Sequence, residues 1–300
     1  MPTLFKGKTV DMDIQWFPGH MKKAIRVIEK NLPLVDIVIE IVDARIPMSS
    51  ANPDLHNILK NKQRMKLVNK SDLADHNVTQ KWISYFKNIG ITAIAVDCKA
   101  GKGLKNLPKE MKIVLKDKIE RDIKKGMIGK PIRAMVVGIP NVGKSIFINK
   151  MANKSKAKVE NRPGVTRGKQ WIDVGEGLEF LDMPGILWPK FDDQLVGEKL
   201  AYIGSINDNI LDIEILAVRL LNFLYRDYSN LLINRYKLDK INISIDNEWH
   251  LLKLIGKKRG MIIPGGDVDI HRAAIMVLNE FREGKIGKIS LELPNINKKT

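Results

Sequence analysis

The sequence predicts an α/β protein: a mostly parallel sheet with helices on both faces, plus a small α-helical C-terminal domain. Three observations carry this. Short apolar runs of strand length recur through the first two-thirds, each ending in a polar loop and followed by a helical pattern, as in βα units. One of those loops, Gly138-Ile139-Pro140-Asn141-Val142-Gly143-Lys144-Ser145, fits G-x-x-x-x-G-K-[ST] between a strand and a helix. Beyond residue 206 the periodicity is helical only.

Composition bounds the answer. Of the 300 residues, 44% are apolar and 28% charged, as in folded soluble proteins. The start shows no apolar run of signal-peptide length. The most apolar early stretch, Leu34 to Val42, is broken by Asp36 and Glu40 and reads as no membrane span. The single cysteine, Cys98, leaves no internal disulfide framework and fits a reducing interior, so a cytoplasmic location is expected. The net charge of +17 favours polyanions. Residues 1–207 hold 36 Lys/Arg against 22 Asp/Glu, and residues 208–300 hold 15 against 12. Lys99 to Lys130 and Lys150 to Lys169 are dense in lysine, either as a solvated surface or as a polyanion-binding face.

Residues 1–13 read as a flexible lead-in. Trp16-Phe17-Pro18-Gly19-His20-Met21 is a turn leading into a helical pattern, with His20 readable as a capping residue. Val35 to Val42 is a buried strand ending at Asp43-Ala44-Arg45. A loop and short helix run to Leu59. Met65 to Val68 is a strand that ends in Asn69-Lys70-Ser71-Asp72. Asn77 to Asn88 is helical, and Thr92 to Val96 is a strand that leads into Asp97-Cys98-Lys99-Ala100-Gly101. Gly103 to Lys130 reads as a lysine-rich helix and linker. Ile132 to Val137 is the strand before the glycine-rich loop. Gln170 to Val174 and Leu178 to Leu181 look like a hairpin, which ends in Asp182-Met183-Pro184-Gly185. Helices are expected over Leu195 to Ile206, Leu211 to Tyr225, Asn247 to Ile255 and His271 to Arg282. The predicted domains are 14–206 and 207–300.

The loops carry the chemistry. In the glycine-rich loop, backbone N–H groups of Asn141, Val142, Gly143, Ser145 and Ile146 can turn onto phosphate oxygens at a positive helix end. Lys144 would reach the outer phosphates, and the Ser145 hydroxyl would bind Mg²⁺. Asn69-Lys70-Ser71-Asp72 is N-K-x-D. Guanine presents two N–H donors on one edge, and an ionised Asp72 accepts both. Adenine leaves that carboxylate unpaired, a large discrimination. Asn69 can bond the opposite base edge and tie neighbouring loops, and the Lys70 stem can lie over the purine face. Asp97-Cys98-Lys99-Ala100-Gly101-Lys102-Gly103 resembles the S-A-K-x-G-x-G loop of GTPases, which implies that backbone N–H groups at Asp97 and Cys98 close over the base. Asp182 would hold Mg²⁺ through water, Gly185 N–H would touch the γ-phosphate, and Thr166 would bring its hydroxyl to Mg²⁺ when that phosphate is present. These motifs run in an order that puts the glycine-rich loop third, so the sequence reads as a circularly permuted P-loop GTPase domain.

With Trp16 to Met21, Asp43-Ala44-Arg45-Ile46-Pro47 and Pro184-Gly185-Ile186-Leu187-Trp188-Pro189-Lys190 also present, the chain resembles the YlqF/RbgA family of ribosome-biogenesis GTPases from about Ile14 onward. The resemblance implies GTP hydrolysis coupled to a late step of large-subunit assembly, with GTP/GDP and Mg²⁺ as ligands. It implies a large ribosomal subunit precursor, rRNA and ribosomal proteins, as partner, and a C-terminal domain similar to ANTAR-type RNA-binding domains. No membrane partner is expected, and a monomer is expected off the ribosome. Ile186 stands where many GTPases carry a water-orienting Gln. The resemblance points instead to His20 as the catalytic group, and to Asn141 as a residue that holds K⁺ beside the phosphates. A second reading stays open here: an RNA-binding scaffold with GTP as a structural ligand.

Overall fold

The structure, a computed structural model, describes residues 20–59, 62–155, 171–188, 191, 193–239 and 249–294. They fall into two compact units. One runs to Trp188 and resumes at Asn279; the other lies between, ending at Leu278.

The first unit is built on a six-stranded sheet. Its strands are β1 (Ile37–Asp43), β2 (Gln63–Asn69), β3 (Thr92–Ala95), β4 (Ile132–Val137), β5 (Trp171–Gly175) and β6 (Leu178–Asp182). They lie in the order β3-β2-β1-β4-β6-β5, and every neighbouring pair is parallel except the β5–β6 hairpin. All seven residues of β1 are buried, which is why it reads as one apolar run. Its Glu40 is tolerated because Lys66, its register partner on β2, forms an ion pair with it.

Among its described residues this unit carries the α-helices α1 (His20–Asn31), α2 (Pro53–Ile58), α3 (His76–Asn88), α4 (Leu107–Val114), α5 (Lys116–Lys124) and α6 (Lys144–Ser155). Asn52 caps α2 by accepting from Asp54 N at 2.9 Å, with Pro53 in the first turn, where its missing N–H costs nothing. Asp75 caps α3 through Val78 N at 2.9 Å. Trp82 and Phe86 of α3 stack at 5.7 Å and pack with Val42 and Val68, the ends of β1 and β2. The segment from Gly103 to Lys130, expected as a lysine-rich helix and linker, carries two helices, α4 and α5. Leu104, Leu107, Met111 and Leu115 are buried at helical spacing, an apolar stripe that the abundance of lysine obscures in the sequence.

The second unit is helical: α7 (Gln194–Tyr202), α8 (Ile213–Tyr236), α9 (His250–Lys258) and α10 (Ile270–Arg282), whose residues from Asn279 count with the sheet unit. α8 runs past the expected Tyr225 to Tyr236. It kinks at Tyr228 (φ −137°, ψ 33°), where polar Arg226 to Asn230 interrupts the apolar pattern, and resumes with buried Leu232 and Tyr236. The compact units thus divide after Trp188, whereas the sequence reading placed a boundary at 206.

After α10 the chain packs with the sheet unit. Ile289 N donates to Leu73 O at 3.0 Å, and Leu291 N donates to Arg45 O at 2.8 Å. The Glu292 carboxylate accepts from Met48 N at 2.9 Å and from the Ser49 amide and hydroxyl. Trp82 Nε1 donates to Glu292 O at 3.1 Å.

Candidate functional site

Parallel strands present their carboxyl ends at one edge, and ligands gather where the strand order reverses. Here the reversal is between β1 and β4: the chain builds outward through β2 and β3 on one side, then through β6 and β5 on the other. β2 delivers Asn69 to that edge, β3 leads to Asp97, β4 to Gly138, and β6 ends at Asp182. The four motifs scattered in sequence therefore emerge at one place.

The glycine-rich loop joins β4 to α6. Asn141 takes a left-handed conformation (φ 62°), which asparagine tolerates better than most residues. Lys144 is 8% exposed, and its ammonium folds back over the loop, donating to Gly138 O at 3.1 Å and Ile139 O at 2.9 Å. Burial pushes this ammonium down to about 8, against the pull of the Asp182 charge. Burial in turn raises the Asp182 carboxyl, although Lys144 and the Met183 N–H hold it down in part. Ser145 and Ile146 are exposed on the first turn of α6, whose leading amides have no intrahelical acceptor.

Asn69 ties three loops together. Its Nδ2 donates to Val142 O at 2.7 Å, and its Oδ1 accepts from Cys98 N at 3.0 Å. Of the two roles the sequence allowed this side chain, the structure displays loop-tying. Gly143, at φ 102°, leaves room for that amide. Ser71 N donates to Val96 O at 3.1 Å, which fixes the turn carrying exposed Asp72. Burial, then the charges of Asp97 and Asp72, push the Cys98 thiol up to about 12, so it is an inert thiol close to the Asp72 carboxylate.

Two observations bear on the expected base contacts. Lys70 anchors its head group on the end of β1, with its Nζ 3.1 Å from the Asp43 carboxylate. The amides at Asp97 and Cys98 are already used, Asp97 N on Lys102 O at 3.1 Å and Cys98 N on Asn69. The Asp97 side chain also matters, since it accepts from Ala100 N at 2.9 Å and closes the loop.

Just after D-M-P-G, Ile186 N donates to Gly138 O at 3.3 Å, and Asn52 Nδ2 donates to Ile186 O at 3.1 Å. A Cβ on Gly185 would stand 2.9 Å from Pro140 N and 3.0 Å from Lys144 Nζ. The Ile186 side chain is 1% exposed and turned into the core. Thr166 lies outside the described residues. His20 opens α1.

A family described as 50S ribosome-binding GTPase matches residues 133–243, a span that holds the glycine-rich loop and D-M-P-G but not N-K-S-D. The chain is 48% identical to "Ribosome biogenesis GTPase A" of Bacillus cereus, over 94% of this chain and 95% of that one. The chain belongs to the ribosome biogenesis GTPase A family. Two solved structures are similar over most of their length. "GNP-bound YlqF from T. maritima" is 26% identical with a TM-score of 0.62, covering 91% of this chain and 99% of that one. The GDP-bound structure of "TM YlqF" is 28% identical with a TM-score of 0.66, covering 90% and 99%. This member of the family is accordingly a permuted GTPase that binds GTP and GDP.

In this GTPase, the sequence reading missed the support beneath the base loop. Asp43, fully buried at the end of β1, takes both Arg45 Nε and Nη2 at 2.9 Å, as well as Lys70. Burial alone would raise its carboxyl, but Arg45 and Lys70 hold it well below the usual carboxylate range. The signal was visible: an Asp-x-Arg pair closing a buried strand needs its charges matched.

Proposed function

We propose that this GTPase is a switch in late assembly of the large ribosomal subunit. Its GTP form joins the precursor particle through rRNA and ribosomal proteins, and hydrolysis ends the engagement. The observation that carries the proposal is Asn69 bonded at once to Val142 and Cys98, which couples base selection to the phosphate loop, in a chain 48% identical to a ribosome biogenesis GTPase. The scaffold alternative is not favoured. Sedimentation of the protein with large-subunit particles, with GDP or a non-hydrolysable GTP analogue, tests the proposal. Co-sedimentation only with the analogue, and faster turnover on particles, is expected; indifference to nucleotide would sink it.

Mg²⁺ fits the donor set. The Ser145 hydroxyl is exposed beside Lys144, and Asp182 lies close enough to Lys144 for their charges to interact, which offers two hard oxygens. Thr166 would supply a third. When bound, the ion neutralises phosphate charge. Lys144 does the same from the protein side, and the Gly185 amide would contact the γ-phosphate. Asn141, held at φ 62°, is the residue proposed to accept K⁺. Equal turnover in K⁺ and Na⁺ buffers would count against that ion.

The Ile186 side chain carries no hydrogen-bonding group, so water must be aligned by another side chain, and His20 is proposed for that role. A His20→Ala protein should bind GTP normally and lose particle-stimulated turnover; full turnover would refute the assignment. Among the described residues no helix is long and apolar enough to cross a membrane. A cytoplasmic monomer is the proposed free state.

A further inference from the structure

We propose that the lysine face of α4 docks the phosphate backbone of an RNA duplex. This deepens the ribosomal reading and rests on it for the choice of polyanion.

Between Lys99 and Lys130 the chain carries eleven Lys/Arg and four Asp/Glu. Buried Leu104, Leu107, Met111 and Leu115 close the core on one side of this segment. Lys105, Lys109, Lys112 and Lys116 repeat at the same three- and four-residue spacing, and all are exposed. One side of the segment is therefore apolar and committed, and the other is a row of cations. Lys105, Lys109 and Lys112 form no ion pair among the described residues. Lys116 reaches only Glu120, at 4.0 Å on an exposed surface, a pair worth little. A helix rises about 1.5 Å per residue, so successive lysines stand roughly 5 Å apart along the axis, the same order as phosphates along one strand.

Lys109, Lys112 and Lys116 also line an open groove of about 450 Å³ with Pro108, Ile113 and Glu176. Glu176 belongs to the β5–β6 turn, where Gly177 O accepts from Ile132 N at 2.8 Å at the start of β4. The groove thus lies at the opposite end of β4 from the phosphate loop and leaves the nucleotide pocket free. Its walls offer point charges with no aromatic platform or amide for reading bases, which suits a backbone and not a sequence. The apolar floor is too small to anchor a protein segment by itself.

The test uses the full GDP-bound chain and an RNA duplex of about 16 base pairs, followed by fluorescence anisotropy over a salt series. Lys109→Ala with Lys112→Ala should weaken binding about tenfold and make the salt slope shallower by about two. Lys81→Ala with Lys87→Ala removes equal charge from exposed sites on α3 and should do neither. GDP affinity and GTP turnover should stay unchanged in both. Equal losses in the two variants, or none, would overturn the proposal. So would intact duplex binding combined with lost particle co-sedimentation, which would give the face to a ribosomal protein. Failure of the unaltered protein to recognise particles, with the duplex result intact, would strike the ribosomal reading alone.

Discussion

Asn69 Nδ2 lies 2.7 Å from Val142 O, although 73 residues separate the two in the chain. One buried amide thus holds the base loop at a fixed distance from the phosphate loop. Asn69→Ala would leave the Val142 carbonyl and the Cys98 amide unpaired, at about 1–3 kcal/mol. We expect GDP affinity to fall on the order of tenfold to a hundredfold, with a lowered Tm. Calorimetric titration beside thermal melting checks both; an unchanged affinity would mean that the two loops hold their spacing without Asn69.

Lys144 should report nucleotide as a proton signal. Its free-state ammonium is depressed to about 8, and phosphate oxygens would raise it again. Above that pH the free protein has lost the proton and the complex regains it. Binding should therefore take up a proton, and affinity should weaken as pH climbs past 8. Titration calorimetry in buffers of different ionisation enthalpy measures the uptake directly; zero uptake above pH 8 would contradict the argument.

Gly185→Ala places a methyl 2.9 Å from Pro140 N and 3.0 Å from Lys144 Nζ. The segment must retreat from the phosphate loop. GTP turnover should drop by roughly tenfold or more, while GDP, which lacks the γ-phosphate, binds nearly as before. Single-turnover hydrolysis and fluorescent GDP binding separate these; parallel losses in both would point to a general distortion instead.

Arg45→Met strands a buried Asp43 carboxylate with Lys70 alone, which should cost about 3–5 kcal/mol. The native carboxyl is held below its unfolded value, so the unfolded chain takes up a proton first as pH falls. The stabilisation is complete above the ordinary carboxylate range and is lost as pH drops below about 4. Asp43→Asn should flatten that acid limb. Urea denaturation at neutral and acid pH tests it; an Asp43→Asn protein with the native acid slope would assign the slope to other carboxylates.

Much of this site was legible because its chemistry is local. Four loops with strand before and helix after announced themselves, and parallel pairing guaranteed that they share an edge. What stayed hidden was long-range or shared. No pattern in the sequence joins Asn69 to Val142 or Glu292 to Ser49. Nor does it announce that Asp43, a whole βα unit earlier, takes the Lys70 ammonium. The apolar stripe through α4 was masked because three of its four residues, Leu104, Met111 and Leu115, neighbour a lysine. α8 was read short because the residues around Tyr228 are polar, while burial resumes just beyond the kink.

The return of residues 279–294 to the sheet has a consequence for biosynthesis. Arg45 Nη1 reaches Phe281 O at 3.3 Å, and Glu292 pins Met48. These partners are translated after the whole helical unit, so a nascent chain carries an unfinished catalytic unit until its final stretch is out. A product that stops early, however complete its nucleotide motifs, lacks the wedge that braces Asp43 and Arg45. The order of synthesis thereby delays the bracing of this buried charge pair until the helical unit has been made.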